Sequence, residues 1–409
     1  MTFPAYTPVA HSAGNYLPPA PAGRGWRETL RIWWREIDKV LLGLIALLMV
    51  IGMVAVAAAS PASADQLSTA RERVPDFMFF QRHIVFQMMG LALMIGLSFL
   101  SRDSARRLGI LVGAVMLALL FVVPFIGEEK NGARRWINVG MSLQPSEFLK
   151  PGFAIICAWI LSWRLRDPGM PVIAFVTAFF GLIAALLMLQ PNLGDAILFG
   201  GIWLVMVLLA GMPWQRIVGL GGLGVIGLTL AYMFYDNARH RIDGFLGGGT
   251  AFDQVDLAQR TITAGGWTGT GLWLGIRKMN LPEAHTDYIF SVIGEEFGLI
   301  LCALIVVLYC GLVLRALLRL VGEDNLFALL AAAGLVTQFG GQAFINILVN
   351  LKLFPSKGMT LPLISYGGSS TLAVCFTLGL LLAITRRNPF LVREGTGLRD
   401  LIERKDNGV

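Results

Sequence analysis

The sequence predicts an all-α integral membrane protein with about ten transmembrane helices and a large extracytoplasmic loop between helices 7 and 8. Three observations carry that expectation. Hydrophobic residues make up 56% of the 409 and charged residues only 14%, with a mean hydropathy of +0.68, whereas a water-soluble chain of this length needs far more polar surface. The apolar residues run in blocks long enough to cross roughly 30 Å of hydrocarbon, not in amphipathic stripes. The basic residues concentrate in short connections on one side.

Residues 1–25 are rich in Pro, Ala and Gly and lack an apolar signal-peptide core, and 26–37 add arginines. Residues 1–37 therefore read as a disordered, basic, cytoplasmic tail. Apolar spans follow at about 38–60, 83–100, 107–126, 145–163, 170–188, 193–211, 214–235, 287–314, 325–350 and 361–384. They make one polytopic domain over 38–385, with 386–409 as a C-terminal tail. An even number of crossings puts both termini on one side. Arg24, Arg27, Arg31, Arg35 and Lys39, then Arg102, Arg106, Arg107, Arg164, Arg166, Arg315 and Arg319, then the arginines of the C-terminal tail mark that side as cytoplasmic.

Composition also excludes classes. The net charge of +7 is spread over many short loops without a basic stripe interleaved with aromatics, so membrane topology explains it and nucleic-acid binding is not expected. Cys157, Cys302, Cys310 and Cys375 lie inside apolar blocks, and the four histidines are scattered, so no Cys/His metal site is expected. Two extracytoplasmic connections stand out, 127–144 and 235–286. The second is far longer than an ordinary connection and points to a functional element.

Three groups of residues carry candidate chemistry. In the first, Arg134-Arg135-Trp136 precedes Gln144-Pro145-Ser146-Glu147-Phe148-Leu149-Lys150. Pro145 suits a first helical position, and Glu147 and Lys150 then share a face one turn into the membrane. They read either as a self-neutralising pair that orders the helix start or as the lining of a polar cavity. The arginines have the paired donors that match phosphate, and would equally hold lipid headgroups or acidic loop residues.

The second group is Glu283-Ala284-His285-Thr286-Asp287 with Glu295 and Glu296 two turns deeper. Thr286 or Asp287 could cap a helix, but several carboxylates and a histidine at a membrane boundary are expensive unless used. The third runs from Lys352 through Lys357-Gly358 to Ser365-Tyr366-Gly367-Gly368-Ser369-Ser370, where Lys357 could meet an anion and the small residues permit close helix approach. The run Gly265-Gly266-Trp267-Thr268-Gly269 to Gly275 lacks the spacing of a phosphate loop and reads as loop or re-entrant structure, with Trp267 and Trp273 at the interface.

Together these motifs resemble the SEDS family (shape, elongation, division and sporulation). The resemblance rests on Arg135-Trp-Ile, Gln144-Pro-x-Glu147-x-x-Lys150, Gln190-Pro-x-Leu-Gly194, Pro282-Glu-Ala-His-Thr-Asp287-Tyr-Ile-Phe, Gly294-Glu-Glu-x-Gly298 and Ile364-Ser-Tyr-Gly-Gly-Ser-Ser370, in order over about 38–388. Ala284 before His285, and Ser356-Lys357-Gly358-Met-Thr-Leu-Pro, are similar to the division branch more than the elongation branch. The resemblance implies peptidoglycan glycosyltransfer: polymerisation of lipid II, an undecaprenyl-diphosphate-linked disaccharide pentapeptide, at the outer face of the bacterial inner membrane during septal synthesis. It implies Asp287 as the catalytic position and general base, with Arg135, Glu147, Lys150, His285 and Lys357 contacting substrate. It also implies a class B penicillin-binding transpeptidase and other division proteins as partners, and leaves room for a magnesium or manganese ion.

Two departures are visible: Asn192 stands where the family usually carries Asp, with Asp195 three residues later, and 244–253 is Gly-rich where division members show Pro and aromatics. A lipid II flippase would use the same location and cations, but needs a polar path through the whole bilayer; a pure scaffold would leave Asp287, Glu147 and Lys150 without a role.

Overall fold

The computed structural model describes residues 25–69, 73–130, 133–138, 140, 142–165, 167, 169–234, 239, 242, 243, 254–321 and 323–386. Most of the two tails, much of 235–253 (including the whole Gly-rich stretch 244–253) and Arg24 and Arg166 lie outside them. Residues up to Ile37 form a unit of their own. Within it α1 (Trp26–Glu36) is helical, which corrects the expectation of a tail disordered throughout 1–37. Trp26, Leu30, Trp33 and Trp34 recur at helical spacing against Arg27, Arg31 and Arg35, a 3.6-residue period that composition alone hides.

The second unit is a helical membrane domain. It contains α2 (Lys39–Leu67), α3 (Met78–Ser98), α4 (Arg102–Ile126), α5 (Pro145–Ser162), α6 (Val172–Leu189), α7 (Leu193–Leu209), α8 (Trp214–Phe234), α9 (Gln254–Ala264), α10 (Ile289–Leu320), α11 (Leu326–Asn350) and α12 (Gly368–Thr385). Among the described residues nine helices are long and apolar enough to cross a membrane, and α7 is a shorter apolar tenth. The fold class is as expected.

Two boundaries differ from expectation for physical reasons. The first span continues through Pro61 to Leu67; proline is tolerated inside a membrane helix when the carbonyl it strands finds another donor. That carbonyl belongs to Ala57, and the Trp273 indole N–H donates to it at 3.2 Å. The last span starts at Gly368 instead of 361, because 361–367 is an irregular turn held by side chains.

Helix α3 lies along α12, α4 along α5, and α11 against α5 and α7. The α4–α5 crossing depends on having no side chains at Gly113 and Gly152: a Cβ on Gly152 would lie 2.4 Å from the Gly113 Cα, the close approach that small residues allow between membrane helices. At the opposite end from the site described below, Asp38 caps α2 by accepting from the Val40 and Leu41 N–H groups at 3.0 and 3.1 Å. It also takes Arg315 at 2.8 Å and Arg319 from α10. Burial opposes ionisation of Asp38, but the hydrogen bonds from Arg319, Leu41 N–H and Arg315 prevail and hold the carboxyl below the ordinary range.

Between α4 and α5 the connection forms a small sheet, β1 (Glu128–Lys130), β2 (Ala133–Asn138) and β3 (Ser142–Leu143), paired antiparallel in that order. These strands are too short and too charged to show an apolar alternation, so the sequence gives no sign of them.

In the long connection, α9 packs on α10 and the glycine run joins them. α10 is interrupted at Gly298, which sits at φ +82°, where only glycine rests without strain. The broken backbone is repaired from outside the helix. The Leu299 and Ile300 N–H groups donate to the Gly266 and Trp267 carbonyls at 3.0 and 3.3 Å. The Glu295 and Glu296 carbonyls accept from Thr270 and Gly271 at 2.8 and 3.0 Å. The Gly265–Gly275 run is therefore a spliced piece of a span, with no phosphate to bind.

Candidate active site

A cavity opens where the N-terminal ends of α3, α5, α10 and α12 meet the β-hairpin and the turns at 281–288 and 354–367. Its volume is about 1050 Å³, and Arg135, Glu147, Asp287 and Lys357 all line it, with Arg82 and Glu283 nearer the edge. Four of the six candidate residues thus converge from four separate segments of chain.

Each is placed by a local cause. Arg135 sits mid-strand on β2 and points away from Arg134, as alternation requires; Arg134 is exposed and pairs with Glu129 at 3.4 Å. The Arg135 guanidinium donates to the carbonyls of Gln190 at 2.9 Å and of Pro191, so it is a fixed cation in the cavity wall. Glu147 lies in the first turn of α5, with Pro145 at the first helical position as expected. Lys357 is 7% exposed, its Nζ over the Phe354 ring at 4.2 Å, and its stem lies against Gly194, where a Cβ would meet Lys357 Cδ at 3.2 Å. Asp287 is half-buried in the turn that precedes α10. A Cβ built on Gly358 would lie 3.4 Å from Asp287 Oδ2, so the Asp287 carboxylate faces the Lys357-Gly358 segment. α10 begins at Ile289 with Tyr288 in the cap position and no side-chain cap, so neither Thr286 nor Asp287 serves as the helix cap.

Two candidates sit elsewhere. Lys150 is fully buried behind Glu147, outside the cavity lining. Its ammonium bonds Glu147 Oε1 at 2.6 Å, Asp195 Oδ1 at 3.0 Å and Gln342 Oε1 at 3.4 Å. Asp195 Oδ2 accepts from Ser146 Oγ and Asn192 Nδ2, both at 2.7 Å. Lys150 is thus the centre of a buried triad, and it is Glu147 that stands between it and the cavity. Asn192 explains its own departure from pattern: its carbonyl caps α7 through the Asp195 N–H and its amide holds Asp195, where a third carboxylate would crowd two already sharing one lysine.

His285 is the other candidate outside the lining. Its ring packs 4.2 Å from Phe79 and 5.4 Å from Tyr366, which itself lines the cavity. Burial, only partly opposed by the nearby Glu283, lowers its pKa to about 4. The imidazole is a neutral packing group at physiological pH.

Glu295 and Glu296 leave the site as well. Glu295 accepts from the Arg277 and Lys278 N–H groups at 2.7 and 2.9 Å, and Glu296 pairs with Lys278, whose ammonium also reaches the Ala58 carbonyl at 2.8 Å. These carboxylates pin the long loop to α2 and α10.

What sequence reading missed is a row of amides on α11. Gln338, Gln342, Asn346 and Asn350 recur every four residues and are all 2% exposed or less. Gln342 bridges Lys150 to Thr360, donating to its carbonyl at 3.1 Å; Asn346 and Asn350 reach the backbone of Asp287. Four amides on one face of an otherwise apolar span was the available signal.

A profile covering the FtsW, RodA and SpoVE proteins, described as "Cell cycle protein", matches residues 38–389. The chain belongs to this family. Among FtsW/RodA/SpoVE relatives, it is 38% identical over 365 residues to the "Probable peptidoglycan glycosyltransferase FtsW" of Caulobacter vibrioides, covering 89% of this chain and 93% of that one. It is 34% identical over 377 residues to the protein of the same name from Halorhodospira halophila, covering 88% and 93%. Among solved structures, a chain from "Structural coordination of polymerization and crosslinking by a peptidoglycan synthase complex" is similar with a TM-score of 0.70 at 29% identity, covering 86% and 98%. The rod shape determining protein RodA of Thermus thermophilus is similar with a TM-score of 0.63, also at 29% identity and the same coverage. The chain is a multi-pass membrane protein of the FtsW/RodA/SpoVE family.

Proposed function

We propose that the chain is a peptidoglycan glycosyltransferase of the division type, which polymerises lipid II at this cavity with Asp287 as general base. One observation carries the reading most: the Asp287 carboxylate faces Lys357-Gly358 in a cavity whose wall also holds Arg135 and Glu147. The acceptor sugar's 4-hydroxyl gives its proton to Asp287 as its oxygen attacks C1 of the donor. The C1–O bond to the diphosphate breaks in line, and the diphosphate leaves with the electron pair. An α-linked donor so gives a β-linkage. Diphosphate needs no proton to depart, so one carboxylate suffices, unlike the two of a glycosidase. General-base assistance contributes on the order of 10²–10⁴-fold, and the fixed Arg135 and Lys357 cations stabilise the leaving charge.

Among the described residues no three His, Cys, Asp or Glu side chains are grouped to hold a metal ion. A magnesium or manganese ion carried on the substrate's diphosphate would add to the neutralisation of the leaving charge. The FtsW names of the relatives support a septal role over elongation, with both termini cytoplasmic and 235–286 outside. The likeness to a synthase complex for polymerization and crosslinking supports a class B transpeptidase partner, alongside other division proteins.

The test is lipid II polymerisation by purified Asp287→Asn in detergent or liposomes, alongside thermal unfolding. Asn keeps the size and removes the base, so the expected result is an unchanged melting temperature with glycan synthesis lost. Near-wild-type synthesis would sink the assignment, and Glu283, which shares the cavity, would become the candidate.

A further inference from the structure

Helix α11 presents Gln338, Gln342, Asn346 and Asn350 one turn apart, and buried amides in a span must find partners. Their partners change along the helix. Gln338 donates to the Thr377 hydroxyl at 3.1 Å, a contact between two spans and nothing more. Asn346 Nδ2 donates to the Asp287 carbonyl at 2.8 Å and to the Met359 carbonyl at 2.6 Å. Asn350 Nδ2 donates to the same Asp287 carbonyl at 3.0 Å, while Asn350 Oδ1 accepts from the Ser291 N–H at 3.1 Å and hydroxyl at 2.7 Å.

This geometry has a specific meaning for the backbone. Asp287 C=O and Ser291 N–H are four residues apart and would bond each other if α10 began one residue earlier. The Asn350 amide is inserted between them: its Nδ2 takes the Asp287 carbonyl, and its Oδ1 shares the Ser291 N–H with the Tyr288 carbonyl, 3.0 Å from that nitrogen, so Asp287 stays out of the helix. Asn346 fixes the same carbonyl and, through Met359, the turn that carries Lys357 and Gly358. One pair of side chains therefore sets the Asp287 backbone and the segment facing its carboxylate.

We propose that Asn346 and Asn350 are positioning residues, which hold Asp287 at the distance and angle the base requires. The inference rests on the reading of Asp287 as base. A base displaced by about 1 Å loses on the order of 10²-fold in rate, and neither asparagine lines the cavity, so the effect falls on turnover and leaves substrate binding alone.

The experiment measures kcat and KM for lipid II, and the melting temperature, for Asn346→Leu, Asn350→Leu and the double variant, under conditions where the wild-type chain polymerises. Gln338→Leu is the matched control, since it removes an amide of the same row that bonds Thr377 only. Each single variant should lose about 10-fold in kcat, because the other asparagine still holds the carbonyl, and the double variant about 10²-fold, with KM within about twofold. Gln338→Leu should shift the melting temperature comparably and keep wild-type kcat. Asn346→Asp, equal in size but without the donor, covers the case in which the leucine variants fail to fold and should lose kcat in the same way. A folded double variant or Asn346→Asp with wild-type kcat would overturn the proposal, as would losses that track melting temperature equally in Gln338→Leu. Asp287→Asn is run in parallel: if it stays active, the base reading falls; if it is dead while the asparagine variants turn over normally, only the positioning role falls.

Discussion

Replacing Lys150 by Met removes one buried positive charge and leaves two buried negative ones. Glu147 and Asp195 are 6% and 2% exposed and both bond the same ammonium. Breaking a buried ion pair from one side typically costs about 3–5 kcal/mol, because the surviving charge stays desolvated, and here two survive. On the entropy scale of soluble domains that is a fall of roughly 4–7 °C in melting temperature for a chain of this size. Glu147→Gln should fall less, since it leaves a neutral Lys150–Asp195 pair. The triple variant Lys150→Met, Glu147→Gln, Asp195→Asn should regain most of the loss, since no charge then remains unpaired. Exchanging Glu147 and Lys150 should restore neither stability nor activity, because a glutamate at 150 would face Asp195. Thermal unfolding of detergent-purified protein, followed by fluorescence or size exclusion, reads the series. A Lys150→Met variant that melts with the wild type, or a triple variant less stable than the single, would refute the triad as the stabilising unit.

Two further outcomes follow from the site and the topology. Burial brings His285 down to a pKa of about 4 from the ordinary 6.5 of histidine, so the unfolded chain binds more protons between those values. Stability is therefore full above pH 6.5 and falls as pH drops toward 4, by about 3 kcal/mol; His285→Phe should flatten that part of the melting-temperature profile, and an unchanged slope would show that the imidazole is not buried neutral. A single cysteine replacing Thr250, in a background without the four native cysteines, should react with a membrane-impermeant reagent in intact cells; protection despite good expression would reverse the assigned orientation.

The parts of the fold that depend on one-dimensional pattern were legible in the sequence. Length and apolarity gave ten spans, and Pro145 gave the start of α5. Glu147 and Lys150 could be put on one face from their spacing, and the structure bonds them. What sequence spacing could not supply was the third partner: Asp195 is 45 residues from Lys150 and arrives only because α7 packs beside α5. The same limit misplaced the acidic residues near 287. Asp287, Glu295 and Glu296 look like one cluster in the chain, yet the Gly298 break and the loop packed on it turn the two glutamates toward Lys278 and the Arg277 and Lys278 amides. The aromatic packing of His285 is equally invisible in the chain, because its neighbours Phe79 and Tyr366 come from distant segments. The amide row of α11 is legible by its period of four, but its partners Asp287, Met359 and Thr360 are not, since they come from turns outside the helix.

The repaired break in α10 sets a rule for how this protein can be altered. Four backbone groups of a membrane span, at 295, 296, 299 and 300, take their partners from 266–271. A loop that merely connects can be lengthened, shortened or exchanged between relatives; this one completes the helix it touches. Grafting a foreign sequence across 266–271 would strand those groups in a medium without water, at several kcal/mol each. Insertions, tags or epitopes placed within 266–271 would unstitch a transmembrane helix.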